Sequence, residues 1–231
     1  MYTVVVTRFT EPWHKVWTIY NAFAARLDGT QWRMIVYNRR QEDADSWEWE
    51  PCDKPDNVDV QHMQNVGREA YVVLNHIYEH YDDLIEMETD VTAFIPANWD
   101  SHFLRTNAIN SILTMKKHFL PYPEHVPWST EKDFVLDAWS GANCAGGNYE
   151  EVIKQPYTPA KLRPYGRWYK ERIPVQYTDL AVITGTFSAI NENVLRYKKE
   201  QYKSWMDEIA ADGVNSELAH FWERTWYSLF S

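Results

Sequence analysis

Cysteine is almost absent: Cys52 and Cys144 are the only two in 231 residues, far apart and in no metal-ligand spacing. Neither a disulfide framework nor a cysteine-based zinc site is indicated, and the usage fits a reducing, cytoplasmic setting. No apolar run reaches the roughly 18 residues needed to cross a bilayer, so a soluble chain is expected. Nor is there a basic surplus. With 33 acidic against 23 basic residues and a net charge of -10, the chain is unsuited to neutralising a phosphate backbone, which argues against nucleic acid as a partner. The amino terminus lacks the basic region, apolar core and small-residue cleavage site of a secretory signal; "MYTVVVTRF" reads as a first strand instead. Internal repeats and low-complexity tracts are missing too.

Aromatics are plentiful, at 16% with 12 Trp. That is flat, amphipathic surface of the kind that lines sugar-binding grooves and also fills ordinary cores. At this length roughly 70% of the unfolded surface can be buried. Val4, Val5 and Val6 form a short β-branched run that delivers Thr7 and Arg8 at its end. "PWHKVWTIYNAFAARL" reads as a helix with Val16, Tyr20, Phe23 and Leu27 on one face, and Pro12 is tolerated in its first turn. "RMIVYNRR" is a second strand ending in Asn38 and Arg39, so the opening is β-α-β with parallel strands. Residues 41–64 read as a long polar loop. A strong helix then carries Ala70, Val73, Leu74, Ile77, Tyr81 and Leu84 at helical spacing, and "DVTAFIPANWDSH" is a third strand stopped by Pro96. From 107 to 172 the pattern predicts a helix at "AINSILTMKKHF" and otherwise mostly loop. "YTDLAVITGTFSAI" reads as strand and turn, residues 191–211 as one helix, and the last helix carries Leu218, Phe221, Trp222, Trp226 and Leu229. Residues 1–231 are expected to form one domain; the apolar helix still running at the last residue fits either a natural end packed on the core or a domain of a longer chain.

Five groups of residues have the chemistry for a site. His76-x-x-Glu79-His80 has the inverted zinc-peptidase pattern, in which two His hold a metal and Glu activates water. At roughly 100° per residue the two His share a flank while Glu79 points nearer to solvent; a hydrogen-bonded flank is the plain alternative. Asn65-Val66-Gly67-Arg68-Glu69 sets backbone N–H groups, a guanidinium and a carboxylate at a helix start, a combination that reads anions and hydroxyls. Its alternative is a capped helix with Glu in the first turn. Asp43 and Asp45 form a D-x-D suited to a hard divalent cation, in a loop acidic enough to produce one by chance. Asp100-Ser101-His102 follows the third strand at the carboxyl edge, where open α/β sheets place ligands. Glu223 borders the last helix's apolar face, as a base with a raised pKa or as a partner of Arg224 or Arg196.

Taken in order, "VVVTRF", "IVYN", "NVGREAYVVLNHIYEHYDDL", "VTAFIPANWDSH", "GTFSAINENVL" and "HFWERTWYSLF" resemble a glycosyltransferase-like family of the GT-A fold, with members in fungi, algae, bacteria and large viruses. The most specific pieces are the Asn-x-Gly-Arg-Glu helix and the closing Glu-Arg-x-Trp. The resemblance implies a single α/β domain with a mostly parallel central sheet flanked by helices. It implies transfer of a hexosyl or pentosyl unit from a nucleoside-diphosphate sugar to a glycan or glycoprotein acceptor. Around the donor it sets Thr7, Arg8, Tyr37, Asn38, Arg39, Asn65, Gly67, Arg68 and Glu69, with Gly185 and Thr186 in an acceptor-side loop. Glu223 becomes the base and Asp100 a catalytic residue. Where the family carries a regular D-x-D, this strand ends in Pro96-Ala97-Asn98-Trp99-Asp100-Ser101-His102, so Asp100 and His102 are the implied ligands of Mn or Mg. A viral member would act in the host cytoplasm. Two other classes stand beside this expectation: a carbohydrate-binding protein without catalysis, and a zinc hydrolase using His76 and His80.

Overall fold

The computed structural model describes residues 1–40, 54–88, 90–97, 124–136, 157–182 and 185–231. Its centre is a five-stranded sheet of β1 (Tyr2–Arg8), β2 (Trp32–Asn38), β3 (Val58–His62), β4 (Val91–Pro96) and β5 (Phe187–Ile190), in the order β3-β2-β1-β4-β5. The first four are parallel, and β5 closes the edge antiparallel to β4. The chain is α/β, as its β-α-β opening predicts.

Alternation along the strands decides which helix covers which face. Val4, Val6, Met34, Val36, Ala93 and Ile95 point to one side, where α1 (Trp13–Ala24) lays down Val16, Ile19 and Phe23. Pro12 precedes α1 with φ -63, preset for a helix start. Val5, Ile35, Tyr37 and Phe94 point to the other side. That face is covered by α2 (Arg68–Glu79), with the short α3 (Tyr81–Glu86) after it, then α4 (Tyr165–Arg172), α5 (Lys199–Ala211) and α6 (Glu217–Phe230). Most of the aromatic surplus ends here. Trp168, Trp205, Trp222 and Trp226 are almost fully buried, with Trp222 and Trp226 stacked at 4.8 Å and Trp205 edge-on to Trp222 at 5.3 Å. Fully burying one large apolar side chain contributes about 1.5–3 kcal/mol, and an aromatic pair adds about 0.5–1.5 kcal/mol.

The structure departs from the sequence pattern in four places. The one helix expected to carry Ala70 through Leu84 is two, α2 and α3, which part at His80. Within the stretch expected as one loop, Val58–His62 is the edge strand β3; its polar Asp59 and His62 are exposed, so it lacks the apolar run of a central strand. Inside the stretch read as mostly loop, Tyr165–Arg172 is a helix that buries Tyr165, Trp168 and Tyr169 at i, i+3 and i+4. The helix expected over 191–211 is two, Asn191–Val194 and α5, because Leu195–Lys198 leave the helical path. The expected helix at 108–119 lies outside the described residues.

Candidate functional site

The chain order places a topological switch at β1: from it the chain proceeds outward to β2 and β3 on one side and later to β4 on the other. Open α/β sheets bind ligands outside the carboxyl ends of such strands. Arg8 and Asn38 are register partners at those ends. The buried Arg8 guanidinium donates from Nη1 to Asn38 Oδ1 at 2.8 Å and from Nε to the Glu11 carbonyl at 2.7 Å, and lies 4.3 Å above the Trp13 ring. Three contacts from two elements hold it in one orientation. Arg39 follows, tied by its backbone N–H to the Arg8 carbonyl at 2.9 Å. Its side chain is 6% exposed, with Nη2 3.7 Å from Glu69 Oε1 and the guanidinium 5.5 Å from the Phe9 ring. Its Nε and Nη1 have no hydrogen-bond partner among the described residues. A buried donor left in that condition costs about 1–3 kcal/mol, which an anionic ligand would recover.

The start of α2 supplies the next cation. Gly67 (φ 56) and Arg68 (φ 54) are both left-handed. The Gly67 N–H donates to the Gly213 carbonyl at 2.9 Å, so it is not one of the anion-reading N–H groups expected there. Gly67 serves close packing instead: a Cβ at this position would meet Tyr71 Cβ at 2.8 Å and Ile209 Cγ1 of α5 at 2.9 Å. Gly67→Ala is therefore expected to cost about 2–4 kcal/mol, from left-handed strain plus overpacking, measured as a shift in urea midpoint at unchanged slope.

Arg68 accepts about 1–2 kcal/mol of backbone strain, and in that conformation its side chain joins two elements. Nε is 3.7 Å from Glu69 Oε2, and Nη1 donates to His220 Nε2 on α6 at 3.2 Å. His220 Nδ1 is in turn 3.3 Å from Glu223 Oε2. The result is a row of groups, Arg39, Glu69, Arg68, His220 and Glu223, drawn from the residue that follows β2, from α2 and from α6. Burial pushes the Glu69 carboxyl up, but Arg68 and Arg39, its own backbone N–H and His220 together hold it below the usual range. Burial lowers Arg39 from its ordinary value, Glu69 and Glu11 raise it, and Arg68 lowers it further. Gly185 (φ 64) lies beside Glu69, where an added Cβ would stand 3.9 Å from Glu69 Cβ. The buried Thr186 Oγ1 next to it has no partner among the described residues.

Other residues singled out from the sequence fall elsewhere. Thr7 is buried, and its carbonyl accepts from the Ala97 N–H at 2.8 Å. Asn65 is half-buried just ahead of α2. Tyr37 faces away from Arg8, toward α2, with its hydroxyl 3.0 Å from His76 Nδ1, and it lines a cleft of about 430 Å³ between the end of β3 and α2. Glu223 pairs with neither expected arginine: Arg224 bonds Glu131, and Arg196 bonds Asn193 and the Ser231 carbonyl. Asp43, Asp45, Asp100, Ser101 and His102 lie outside the described residues. His220 was not marked by the sequence, although its i, i+3 spacing to Glu223 on one helix was a usable signal.

The His-x-x-Glu-His stretch resolves into core and surface. His76 is fully buried, its ring 4.7 Å from His80 and 5.7 Å from Phe94, while Glu79 is exposed. Burial, then His80 and Arg33, hold the His76 ring well below its ordinary value, so it is neutral. The unfolded chain gains a proton at His76 below about pH 6.5 and the folded chain does not. Stability is thus fully present above that pH and falls by about 1.4 kcal/mol per unit beneath it, until the depressed folded value is reached. Urea unfolding at pH 7.5 and 5.5 checks this: His76→Gln should lose most of the difference.

Among the described residues no group of three or more His, Cys, Asp or Glu could hold a metal ion, and no helix is long and apolar enough to cross a membrane. The sequence matches no protein-family model, and no curated protein is similar enough to stand as a relative.

Proposed function

We propose that this chain is a nucleotide-sugar-dependent glycosyltransferase acting on a glycan or glycoprotein acceptor. The observation that carries the reading is the buried Arg39 guanidinium, whose Nε and Nη1 have no hydrogen-bond partner among the described residues, beside Arg8, Asn38 and Arg68 at the carboxyl edge of a switching parallel sheet. A diphosphate supplies the acceptors that such donors lack, and guanidinium forks match its oxygens. In the proposed reaction Glu223 takes the proton of the acceptor hydroxyl, whose oxygen bonds to the anomeric carbon of the donor. The bond from that carbon to the diphosphate oxygen breaks, and the electron pair leaves with the diphosphate. Arg39 and Arg68 stabilise the charge that develops there, while the sugar passes through an oxocarbenium-like state. Mn or Mg, where it takes part, would screen the same diphosphate charge. Asp100 and His102, which follow β4, are the ligands proposed for it, and Asp100 is the second carboxylate assigned to the catalytic centre.

The test is a thermal-shift screen of nucleoside-diphosphate sugars with and without Mn, followed by an assay for released nucleoside diphosphate. A rise in melting temperature with at least one nucleotide sugar, and product release with an added acceptor, are expected.

A second reading, carbohydrate binding without catalysis, has one observation in its favour. A cleft of about 460 Å³ is walled by Trp128, Tyr169 and Tyr177, with Lys170 Nζ 5.9 Å from the Trp128 ring centre and Asp179 at the rim. Aromatic faces beside polar groups suit a sugar ring. This reading predicts oligosaccharide binding with no nucleotide-dependent shift.

A further inference from the structure

We infer that the aromatic cleft beside Trp128 seats one pyranose unit of the acceptor, so that the acceptor is a glycan chain of several units rather than a single sugar or an amino-acid hydroxyl. The acceptor role rests on the transferase reading above. The seat for a sugar ring rests on the cleft alone.

The cleft encloses about 460 Å³, within the range of sites that take small ligands. One wall is the half-buried Trp128 ring, whose centre is 5.2 Å from that of Tyr177 and 5.6 Å from that of Tyr169. The exposed Lys170, Gln176 and Asp179 also line it. Lys170 and Asp179 carry opposite charges on one cleft, yet neither forms an ion pair among the described residues; the contact of Lys170 Nζ is the Trp128 ring, 5.9 Å away. This charge set selects the occupant. An anion would meet Asp179, a cation would meet Lys170, and an apolar peptide segment would strip water from both without replacing it. A neutral ring with several hydroxyls satisfies both charges: one hydroxyl donates to the carboxylate and a neighbouring one accepts from the ammonium. The C–H face of the same ring packs on the indole.

Trp128 is fixed in advance of any ligand. Asp179 has φ 58, a left-handed backbone that Asp and Asn adopt more readily than other side chains. From there its Oδ1 accepts from the Trp128 N–H at 2.7 Å, while its carbonyl accepts from the Val126 N–H at 2.9 Å. The Tyr177 hydroxyl donates to the Val126 carbonyl at 3.0 Å. Asp179 Oδ2 has no hydrogen-bond partner among the described residues and is the oxygen assigned to the ligand hydroxyl.

Both walls are also tied to α6, the helix that presents Glu223. Glu131, in the same short helix as Trp128, accepts from Arg224 Nε at 2.6 Å. Ser228 Oγ accepts at 3.1 Å from the N–H of Thr178, which lies between Tyr177 and Asp179. Glu223 itself does not line the cleft. A sugar seated there is therefore not the unit being extended but another unit of the same chain, at a spacing that α6 sets.

Calorimetric titration with gluco-, manno-, galacto- and chito-oligosaccharides, each from monosaccharide to hexasaccharide, tests this, followed by transfer assays with the tightest binder. At least one series should bind wild type, more tightly as it lengthens. Trp128→Ala should bind that hexasaccharide about 5–10-fold more weakly. Asp179→Asn keeps an acceptor for the Trp128 N–H and tolerates the left-handed backbone, so it removes the charge without disturbing the fold; it should weaken the same titration about 3–10-fold. In transfer, both variants should lose the preference for hexasaccharide over monosaccharide, read as the ratio of their KM values. Lack of binding by every series, or equal affinity in wild type and both variants, overturns this inference and leaves the diphosphate reading standing. Oligosaccharide binding without binding of any nucleoside diphosphate overturns the transferase reading, and the acceptor role with it.

Discussion

Glu217→Ala is expected to lower the stability of the chain by about 2–4 kcal/mol, chiefly the cost of leaving two buried backbone N–H donors without their acceptor. The carboxylate of Glu217 is 0% exposed at the first position of α6. One oxygen accepts from the Leu136 N–H at 2.7 Å and from Arg163 Nη2 at 3.1 Å; the other accepts from the Ala160 N–H at 2.7 Å, with Arg163 Nε at 2.9 Å. One side chain therefore ties two backbone segments and an arginine to the helix that carries His220 and Glu223. The helix dipole adds to the preference for negative charge at this end. Glu217→Gln keeps the shape but points an amide N–H₂ at one of the two backbone donors, so about 1.5–3 kcal/mol is expected for that change. Melting temperature and urea midpoint, read by far-UV dichroism, measure both variants. An alanine variant as stable as wild type would mean that this clamp contributes nothing to the domain.

Glu223→Gln carries the largest expected effect on activity. If Glu223 accepts the acceptor's proton, its removal should lower the turnover of sugar transfer by about 10²–10⁴-fold, the span covered by a general base. Nucleotide affinity should be unchanged, because Glu223 sits at the end of the charged row away from Arg39, separated from Arg68 by His220. The carboxylate is 18% exposed, so an approaching hydroxyl can reach it, and the isosteric amide removes basicity without removing volume. Steady-state kinetics with saturating donor, alongside calorimetric donor affinity, separates the two roles. Equal losses in affinity and turnover would make Glu223 a binding group rather than a base.

Elements buried on one or both faces were the most legible in the sequence. β1, β2 and β4 announce themselves through Val4, Val5 and Val6, "RMIVY" and "VTAFI", because strands covered on both sides need continuous apolar side chains. α2 and α6 show as stripes for the matching reason. β3 was hidden because an edge strand pairs through its backbone on one side only, and Asp59 and His62 at solvent give no apolar signal. α4 was hidden by Pro164 and Gly166, which read as loop. Yet Gly166 is there because Lys132 comes so near that a Cβ would meet its carbonyl oxygen at 2.7 Å. At the site, Arg8, Asn38, Arg39, Arg68 and Glu69 could each be picked from strand ends and a helix start, and Glu223 from the border of an apolar helix face; the structure brings Arg39, Glu69, Arg68 and Glu223 into one row through His220. Their partners could not be picked. That His220 joins Arg68 across 152 positions follows from how α6 crosses α2, a packing relation that no local pattern encodes.

The account depends on the carboxyl edge of this sheet being an anion site built around Arg39 and Arg68, and calorimetric titration of nucleoside diphosphates tests that most directly. Wild type should be compared with Arg68→Gly, since glycine adopts the left-handed backbone of residue 68 without strain while removing the side chain that carries the guanidinium. At least one nucleoside diphosphate should bind wild type, and the variant should bind it about 10–100-fold more weakly while remaining folded, the loss expected for one charge-assisted contact. Equal affinity in the two proteins, or no binding to wild type by any nucleoside diphosphate, would contradict it.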